Sequence, residues 1–343
     1  MARTFVGLDV GSKTVKAVEL RRLRDGFRIE RFAVVPMPPG GLVEGVVADS
    51  GKVSEAVRAA FQQAGIHNRR VVTALGSKAV VVREIQLPEM PEEELDRAVR
   101  FEAERYLPVA AEDLRVDYQV VDRAHGQVSV LFAAARREVV DNFVQALEAA
   151  GITPEVLEVT TFALARLFRR DAQQGAIMVA DMGAEGTDLL VLQGDRLRLS
   201  RTIPTGGNVL TRAVAAVLEL EPTAAEVVKE EKAVAPVGRT LPEDPTSARV
   251  AEAISPVLGD LVTEMRRSME FFLSRAGGQE LHKVVLTGGS SRIPNLAAFL
   301  AEELGVPVEV GDAFRIAPAD RPEEALGPVV AVATGLALRG AEG

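Results

Sequence analysis

Apolar and polar positions alternate through the first part of the chain in three short runs. Phe5-Val6-Gly7-Leu8-Asp9-Val10 turns at Gly11, Val15-Lys16-Ala17-Val18-Glu19-Leu20 follows, and after Asp25-Gly26 a third run extends from Phe27 to Val35. Period-two alternation between tight turns predicts a three-stranded meander. The spacing then becomes helical: Ala56, Val57, Ala60 and Phe61 share one face of a helix predicted from Ser54, its expected N-cap, to Ala64, with Gly65 ending it. Arg70 to Leu75 reads as a buried strand.

The pattern restarts at Val80. A strand is predicted over Val80 to Gln86, a helix over Pro91 to Tyr106, strands over Leu114 to Val121 and Gln127 to Ala135, and a helix over Arg137 to Ala150 closed by Gly151. Together they form a self-contained α+β insert of about 75 residues. A helix from Glu158 to Arg169 returns the chain to the first module. Ala176 to Ala180, Thr187 to Leu192 and Arg196 to Ile203 repeat the opening meander, so internal duplication is expected. Helices follow over Gly207 to Leu218 and Thr223 to Ala233, then a loop from Pro236 to Pro245. Ser247 to Ala276 supports one or two long helices broken near Pro256, and Pro328 to Leu338 a terminal helix rich in Ala and Gly.

Length and charge narrow the function. A chain of 343 residues exceeds what one core usually organises, so two domains or one large α/β unit are expected. Net charge is −9 with both signs interspersed, which disfavours nucleic acid as a partner, because duplex binding needs many cations facing phosphates. There is no cysteine and there are three histidines, so thiolate metal sites and disulfides are excluded and imidazole clusters are disfavoured. No apolar run reaches the roughly 18 to 20 residues of a membrane span, and none at the start has signal-peptide length, so a cytoplasmic location is expected.

The candidate chemistry lies in three glycine turns, each entered from an apolar strand: Asp9-Val10-Gly11-Ser12-Lys13-Thr14, Asp181-Met182-Gly183-Ala184-Glu185-Gly186-Thr187, and Thr287-Gly288-Gly289-Ser290-Ser291-Arg292. Glycine at a hairpin bend lets successive backbone N–H groups face one anion, since no side chain blocks approach. Gly11, Ser12, Lys13 and Thr14 fit that role, and Lys16 adds a point charge. Asp9 and Asp181 would face each other across a cleft and suit Mg²⁺, which keeps several waters and takes one or two carboxylates. Thr205-Gly206-Gly207-Asn208 opens a helix whose free N–H groups favour a phosphate or ribose oxygen. Glu226 and Lys229, three apart on a helix, project together, where the acid could grip ribose hydroxyls and the lysine stem cover a base.

The ordered set of two Asp-x-Gly turns, a Gly-Gly-Asn helix start, Ala225-Glu226-x-x-Lys229 and the Gly288-Gly289-Ser290 turn resembles the actin, Hsp70-type chaperone and sugar-kinase ATPase superfamily over essentially the whole chain. The insert before Glu158 resembles the relocated subdomain of the bacterial division actin FtsA. The compact length resembles the PilM family of actin-like proteins of type IV pilus assembly. The resemblance implies an α/β actin-like ATPase fold: two duplicated RNase H-like domains flank a nucleotide cleft, with an FtsA-type inserted α+β subdomain. The implied division is 1–79 with 156–175 and 328–343 as domain I, 80–155 as the insert, and 176–327 as domain II, carrying a small helical subdomain at about 209–250.

By the same resemblance ATP and Mg²⁺ are the expected cofactors. Phosphates would lie at Gly11, Ser12, Lys13, Thr14 and Lys16 and at Gly183, Glu185, Gly186 and Thr187, with metal-linked water at Asp9 and Asp181. Gly206, Gly207, Asn208, Glu226, Lys229, Gly288, Gly289, Ser290 and Arg292 would line the nucleoside side. Glu158 would lead the connecting helix as the acid orienting an attacking water, with Asp181 as its catalytic partner. The implied role is a nucleotide-dependent scaffold with at most weak ATPase activity. Its implied partner is the cytoplasmic N-terminal peptide of PilN, in a groove beside the insert, which would hold the protein at the pilus inner-membrane platform. Self-association stays open, as do a division actin, a GspL-like secretion component and a small-molecule kinase.

Overall fold

A computed structural model describes residues 3–107, 109–238, 240–275, 280–319 and 323–342. The first half contains β1 (Thr4–Val10), β2 (Thr14–Leu23), β3 (Gly26–Pro36), a small hairpin of β4 (Leu42–Val43) and β5 (Val46–Val47), α1 (Ser50–Ala64) and β6 (Arg70–Leu75). Next come β7 (Val81–Pro88), α2 (Glu92–Glu104), β8 (Leu114–Ala124), β9 (Gln127–Arg136), α3 (Arg137–Ala149), β10 (Thr153–Val159) and α4 (Thr160–Phe168). The second half contains β11 (Ala176–Met182), β12 (Thr187–Gln193), β13 (Arg196–Ile203), α5 (Gly207–Leu218), α6 (Pro222–Lys232) and α7 (Pro245–Leu273). It ends with β14 (Leu281–Thr287), α8 (Leu296–Leu304), β15 (Val308–Val310), α9 (Ala313–Ile316) and α10 (Ala331–Glu342).

The expected duplication is visible in topology. One sheet is ordered β3-β2-β1-β6-β10 and the other β13-β12-β11-β14-β15. In each, the first strand is central, with the antiparallel meander on one side and two parallel strands on the other. The central strands β1 and β11 are almost wholly buried, as expected of strands covered on both faces. Asp9 and Asp181 occupy the same penultimate position of these two strands, so each half delivers one carboxylate to the same end of its sheet.

Helices α4 and α10 lie in a shared core: Ala163, Leu164, Leu167, Ala333 and Leu336 pack with Val18 and Val72 of one sheet and Val179 and Leu190 of the other. Small residues set this spacing. A Cβ on Gly335 would stand 2.1 Å from the Ala163 carbonyl oxygen, and one on Gly7 1.9 Å from that of Ala333.

The inserted sheet, β7-β9-β8, closes its own core with α2, where Leu95 and Val99 meet Val128, Val130 and Phe132. Helix α3, expected within a self-contained insert, instead buries Phe143, Ala146 and Leu147 with Val53, Ala56 and Val57 of α1. It is the crossover between the parallel strands β6 and β10, and such a helix must lie on the sheet it bridges.

Three local expectations change. The N-cap of α1 is Asp49, which accepts from Lys52 N at 3.1 Å, while Ser54 is buried and its hydroxyl donates to the carbonyls of Ser50 and Ala146. Glu158 lies within a strand rather than starting a helix, because Thr153–Val159 pairs in parallel with β6. Helix α7 runs unbroken through Pro256: this proline and Glu252, whose carbonyl loses its intrahelical donor, both face solvent. Ala276, within the helix predicted there, and Arg239, within the predicted loop, lie outside the described residues.

Candidate functional site

The turns that leave the two sheets enclose a cavity of about 400 Å³ between the halves. On the first-half wall the bend is closed by Gly11 N donating to Thr14 O at 3.0 Å, and a Cβ on Gly11 would approach that oxygen to 3.1 Å. Gly11, Ser12, Lys13, Thr14 and Lys16 all line the cavity. Lys16 pairs cross-strand with Asp9, its ammonium 2.9 Å from Oδ2.

On the opposite wall Gly183, Glu185 and Gly186 reach the cavity, and Gly288, Gly289, Ser290 and Arg292 close one side of it. Gly288 has φ +84°, and a Cβ there would sit 2.6 Å from the Met182 carbonyl oxygen and 2.7 Å from Asp181 Oδ1, so the third turn can pass the second only as glycine. Glu226, Lys229, Gly207 and Asn208 line the cavity beside it. Lys229 Nζ donates to Glu226 Oε2 and Thr211 Oγ1, each at 2.9 Å, and to the Gly207 carbonyl at 3.3 Å. Lys13 reaches across from the first half to within 3.4 Å of Glu226 Oε1, and Glu44 N donates to Glu185 Oε1 at 3.1 Å. These two contacts bridge the mouth of the cleft.

Three expected ligands stand elsewhere. Thr187 is fully buried and its hydroxyl donates to the Thr205 carbonyl at 2.7 Å. Gly206 does not line the cavity; a Cβ on it would meet Gly186 N at 2.5 Å, so its role is to let α5 approach the second hairpin. The N–H groups of Gly207 and Asn208, expected free for an anion, donate to the carbonyls of Gly183 and Ala184 at 2.9 and 2.8 Å. Glu158 also lies away from the cavity, in a two-pronged pair with Arg166 at 2.8 and 3.0 Å. Arg166 is held in turn by the Gly335 carbonyl and Glu342, so Glu158 fixes α4 and α10 rather than a water in the cleft.

The floor is acidic. Burial, then the neighbouring Asp188 and Asp9, push Asp181 from 3.8 to about 7, against the field of Lys16 and a hydrogen bond from Thr287 Oγ1 at 2.9 Å. Burial also raises Asp188, although Thr202, Ser77 and Thr160 donate to it at 2.7, 2.8 and 3.2 Å. Glu226 is held below its ordinary value: burial acts to raise it, but hydrogen bonds from Thr211 and Lys229 outweigh that. A floor of hard oxygen donors short of positive charge fits a divalent cation. Among the described residues no group of three or more His, Asp or Glu side chains is placed to hold a metal ion, so a cation here would keep most of its water.

Asp188, Ser77, Lys78, Thr160 and Thr202 line the cavity without having been singled out from the sequence. A signal existed for Asp188, the cross-strand partner of Asp181 at the start of an otherwise apolar strand. Gly76-Ser77-Lys78 gave only a short small-residue turn after a buried strand.

The family described as "Type IV pilus assembly protein PilM" matches residues 7–341. In a solved structure described as "PilM-PilN type IV pilus biogenesis complex", a chain 35% identical to this one superposes with a TM-score of 0.86, covering 99% of each chain. The cell division protein FtsA of Escherichia coli (strain K12) is 26% identical over 92% of this chain and 85% of its own length. MreB5 of Spiroplasma citri, solved bound to AMPPNP, shares the fold at 14% identity with a TM-score of 0.52, covering 98% of this chain and 95% of its own.

Proposed function

The chain belongs to the PilM family of type IV pilus assembly proteins, and we propose that it works there as an ATP-binding scaffold whose closed form carries a bound Mg²⁺–nucleotide. The observation that carries this reading is the convergence of the Gly11, Gly183 and Gly288 turns on one cavity with an acidic floor. Gly11 to Thr14 and Gly183 to Gly186 would hold phosphates, and Glu226, Lys229 and the Gly288–Arg292 turn the nucleoside. Asp9 and Asp181 would hold the water shell of Mg²⁺, which when bound neutralises phosphate charge. At roughly millimolar ATP and micromolar affinity, occupancy would stabilise the closed form by about 4 kcal/mol, enough for nucleotide to act as a structural part.

Binding rather than turnover is favoured by the Arg166 pair that occupies Glu158, since phosphoryl transfer needs a positioned nucleophile as well as an electrostatic clamp. The relative solved in complex with PilN supports PilN as this chain's partner, and we place the pair at the inner-membrane platform. We assign its cytoplasmic N-terminal peptide as the bound element and the neighbourhood of the insert as its groove, where an extended peptide can add backbone hydrogen bonds. Among the described residues no helix is long and apolar enough to cross a membrane, which suits attachment through a partner.

The test is to denature the purified protein and identify what it releases, then to titrate the stripped protein with Mg²⁺–ATP by calorimetry. Adenine nucleotide in near-stoichiometric amount, or saturable rebinding, is expected. Absence of both release and rebinding at millimolar ATP would defeat the reading.

A further inference from the structure

The two halves repeat each other turn for turn. Strand β14 runs into the Gly288–Arg292 turn at the cleft; its equivalent β6 runs into Gly76-Ser77-Lys78 at the same cleft. Both turns carry glycine, then serine, then a cation. The first-half turn is closed by Ala79 N donating to Gly76 O at 2.9 Å, and it is pinned by Ser77 Oγ, 2.8 Å from Asp188 Oδ2 and 2.9 Å from Thr160 Oγ1. Held this way, it extends Lys78 over the second hairpin, its Cε 3.5 Å from where a Cβ on Gly186 would stand.

Of the four lysines lining the cleft, Lys16 is paired with Asp9, and Lys13 and Lys229 with Glu226. Lys78 is exposed and makes no ion pair within 4.0 Å among the described residues, although its field reaches Asp188. The cleft therefore has two chemically different ends. Glu226 and Lys229 gather around Gly207 at one end, where a carboxylate can accept from sugar hydroxyls. At the other end an unneutralised ammonium stands over the glycine hairpin, and a dianionic terminal phosphate is the ligand group that best matches it.

We propose that Lys78 contacts the terminal phosphate and makes the cleft prefer a nucleoside triphosphate to a diphosphate. This rests on the nucleotide-binding reading of the cleft. It also ties the terminal phosphate to the insert, because β7 leaves the turn three residues after Lys78.

The experiment measures ATP and ADP affinities of the full chain, in Mg²⁺, for the wild type and for Lys78→Gln and Lys78→Arg. Lys78→Gln is expected to weaken ATP about tenfold and ADP by less than about twofold, while Lys78→Arg keeps most of the preference. Unweakened ATP binding in Lys78→Gln, or equal weakening of ATP and ADP, would overturn the assignment of Lys78 and leave the nucleotide site standing. A wild type that binds neither nucleotide would overturn both.

Discussion

Asp181→Asn should stabilise the nucleotide-free protein, and more so as the pH rises. The carboxyl moves from 3.8 in an unfolded chain to about 7 in the fold, pushed by burial and by Asp188 and Asp9. Between those values the folded protein binds a proton that the unfolded chain has lost, so stability falls as pH rises from about 4 to about 7 and is level above that. At about 1.4 kcal/mol per pH unit the loss is of order 4 kcal/mol. Asparagine cannot ionise, keeps an oxygen to accept from Thr287 Oγ1, and avoids the loss. For a chain of 343 residues, unfolding entropy converts this to a Tm about 5 °C above wild type at pH 8, with little difference at pH 4. The assay is scanning fluorimetry of EDTA-treated, nucleotide-stripped protein from pH 4 to 9. A Tm difference that stays constant across that range, or an asparagine variant less stable at pH 8, would refute the charge argument. With Mg²⁺–ATP the order should reverse, since the bound cation would reward the carboxylate that costs the empty protein stability.

Gly335→Ala would place a methyl 2.1 Å from the Ala163 carbonyl oxygen, and since the atoms it meets are backbone, separation of α10 from α4 should cost about 3 kcal/mol by denaturant unfolding. A loss below about 1 kcal/mol would mean that α10 does not need this contact. Glu158→Gln should cost about 1 to 3 kcal/mol of stability through the Arg166 pair yet leave ATP affinity within about twofold in calorimetry; a large affinity loss would return Glu158 to the cleft. Replacing residues 81–134 by a short linker, which spares α3 and its contacts with α1, should abolish binding of the partner peptide in a fluorescence polarisation assay while nucleotide still binds. Retained peptide binding would move the groove away from the insert.

Much of the frame was legible because its strands are buried and end in glycine. The meander Phe5 to Val35 declares itself by alternation, Ala176 to Ile203 by apolar runs between turns that repeat its order, and Arg70 to Leu75 has the same bounds in sequence and structure. Strands β10 and β15 carry no local signature because each is a parallel edge strand whose partner lies many residues earlier. Pro256 misled because a proline's cost depends on whether the carbonyl it frees meets water, and solvent exposure is set by tertiary packing. At the site, the glycine turns were visible one by one as strand-ending bends. Glu158 was misplaced because its partner Arg166 lies on the next helix and gave no reason in the sequence to turn the acid away from the cleft. Lys78 carries no signal of its own because it reaches the second hairpin only when the halves meet, whereas Asp188 gains meaning once β11 and β12 pair and it stands opposite Asp181.

The duplication also explains where the charge of the cleft falls. Asp9 and Asp181 are equivalent positions of equivalent strands, and their cross-strand partners are equivalent too: Lys16 in the first hairpin and Asp188 in the second. One substitution between repeats makes this cross-strand pair an ion pair in the first hairpin and a pair of acids in the second. The asymmetry at this position therefore comes from one pair of side chains. In the proposed complex a divalent cation would be drawn most strongly toward the second hairpin, where it would relieve the repulsion between Asp181 and Asp188, with Asp9 reaching its water shell from the opposite wall. The first hairpin, with Asp9 answered by Lys16 at 2.9 Å, would offer a phosphate its amides beside Lys13 and Lys16. Two copies of one turn would thus meet a single ligand with different charge, the second biased toward its cation and the first toward its phosphates.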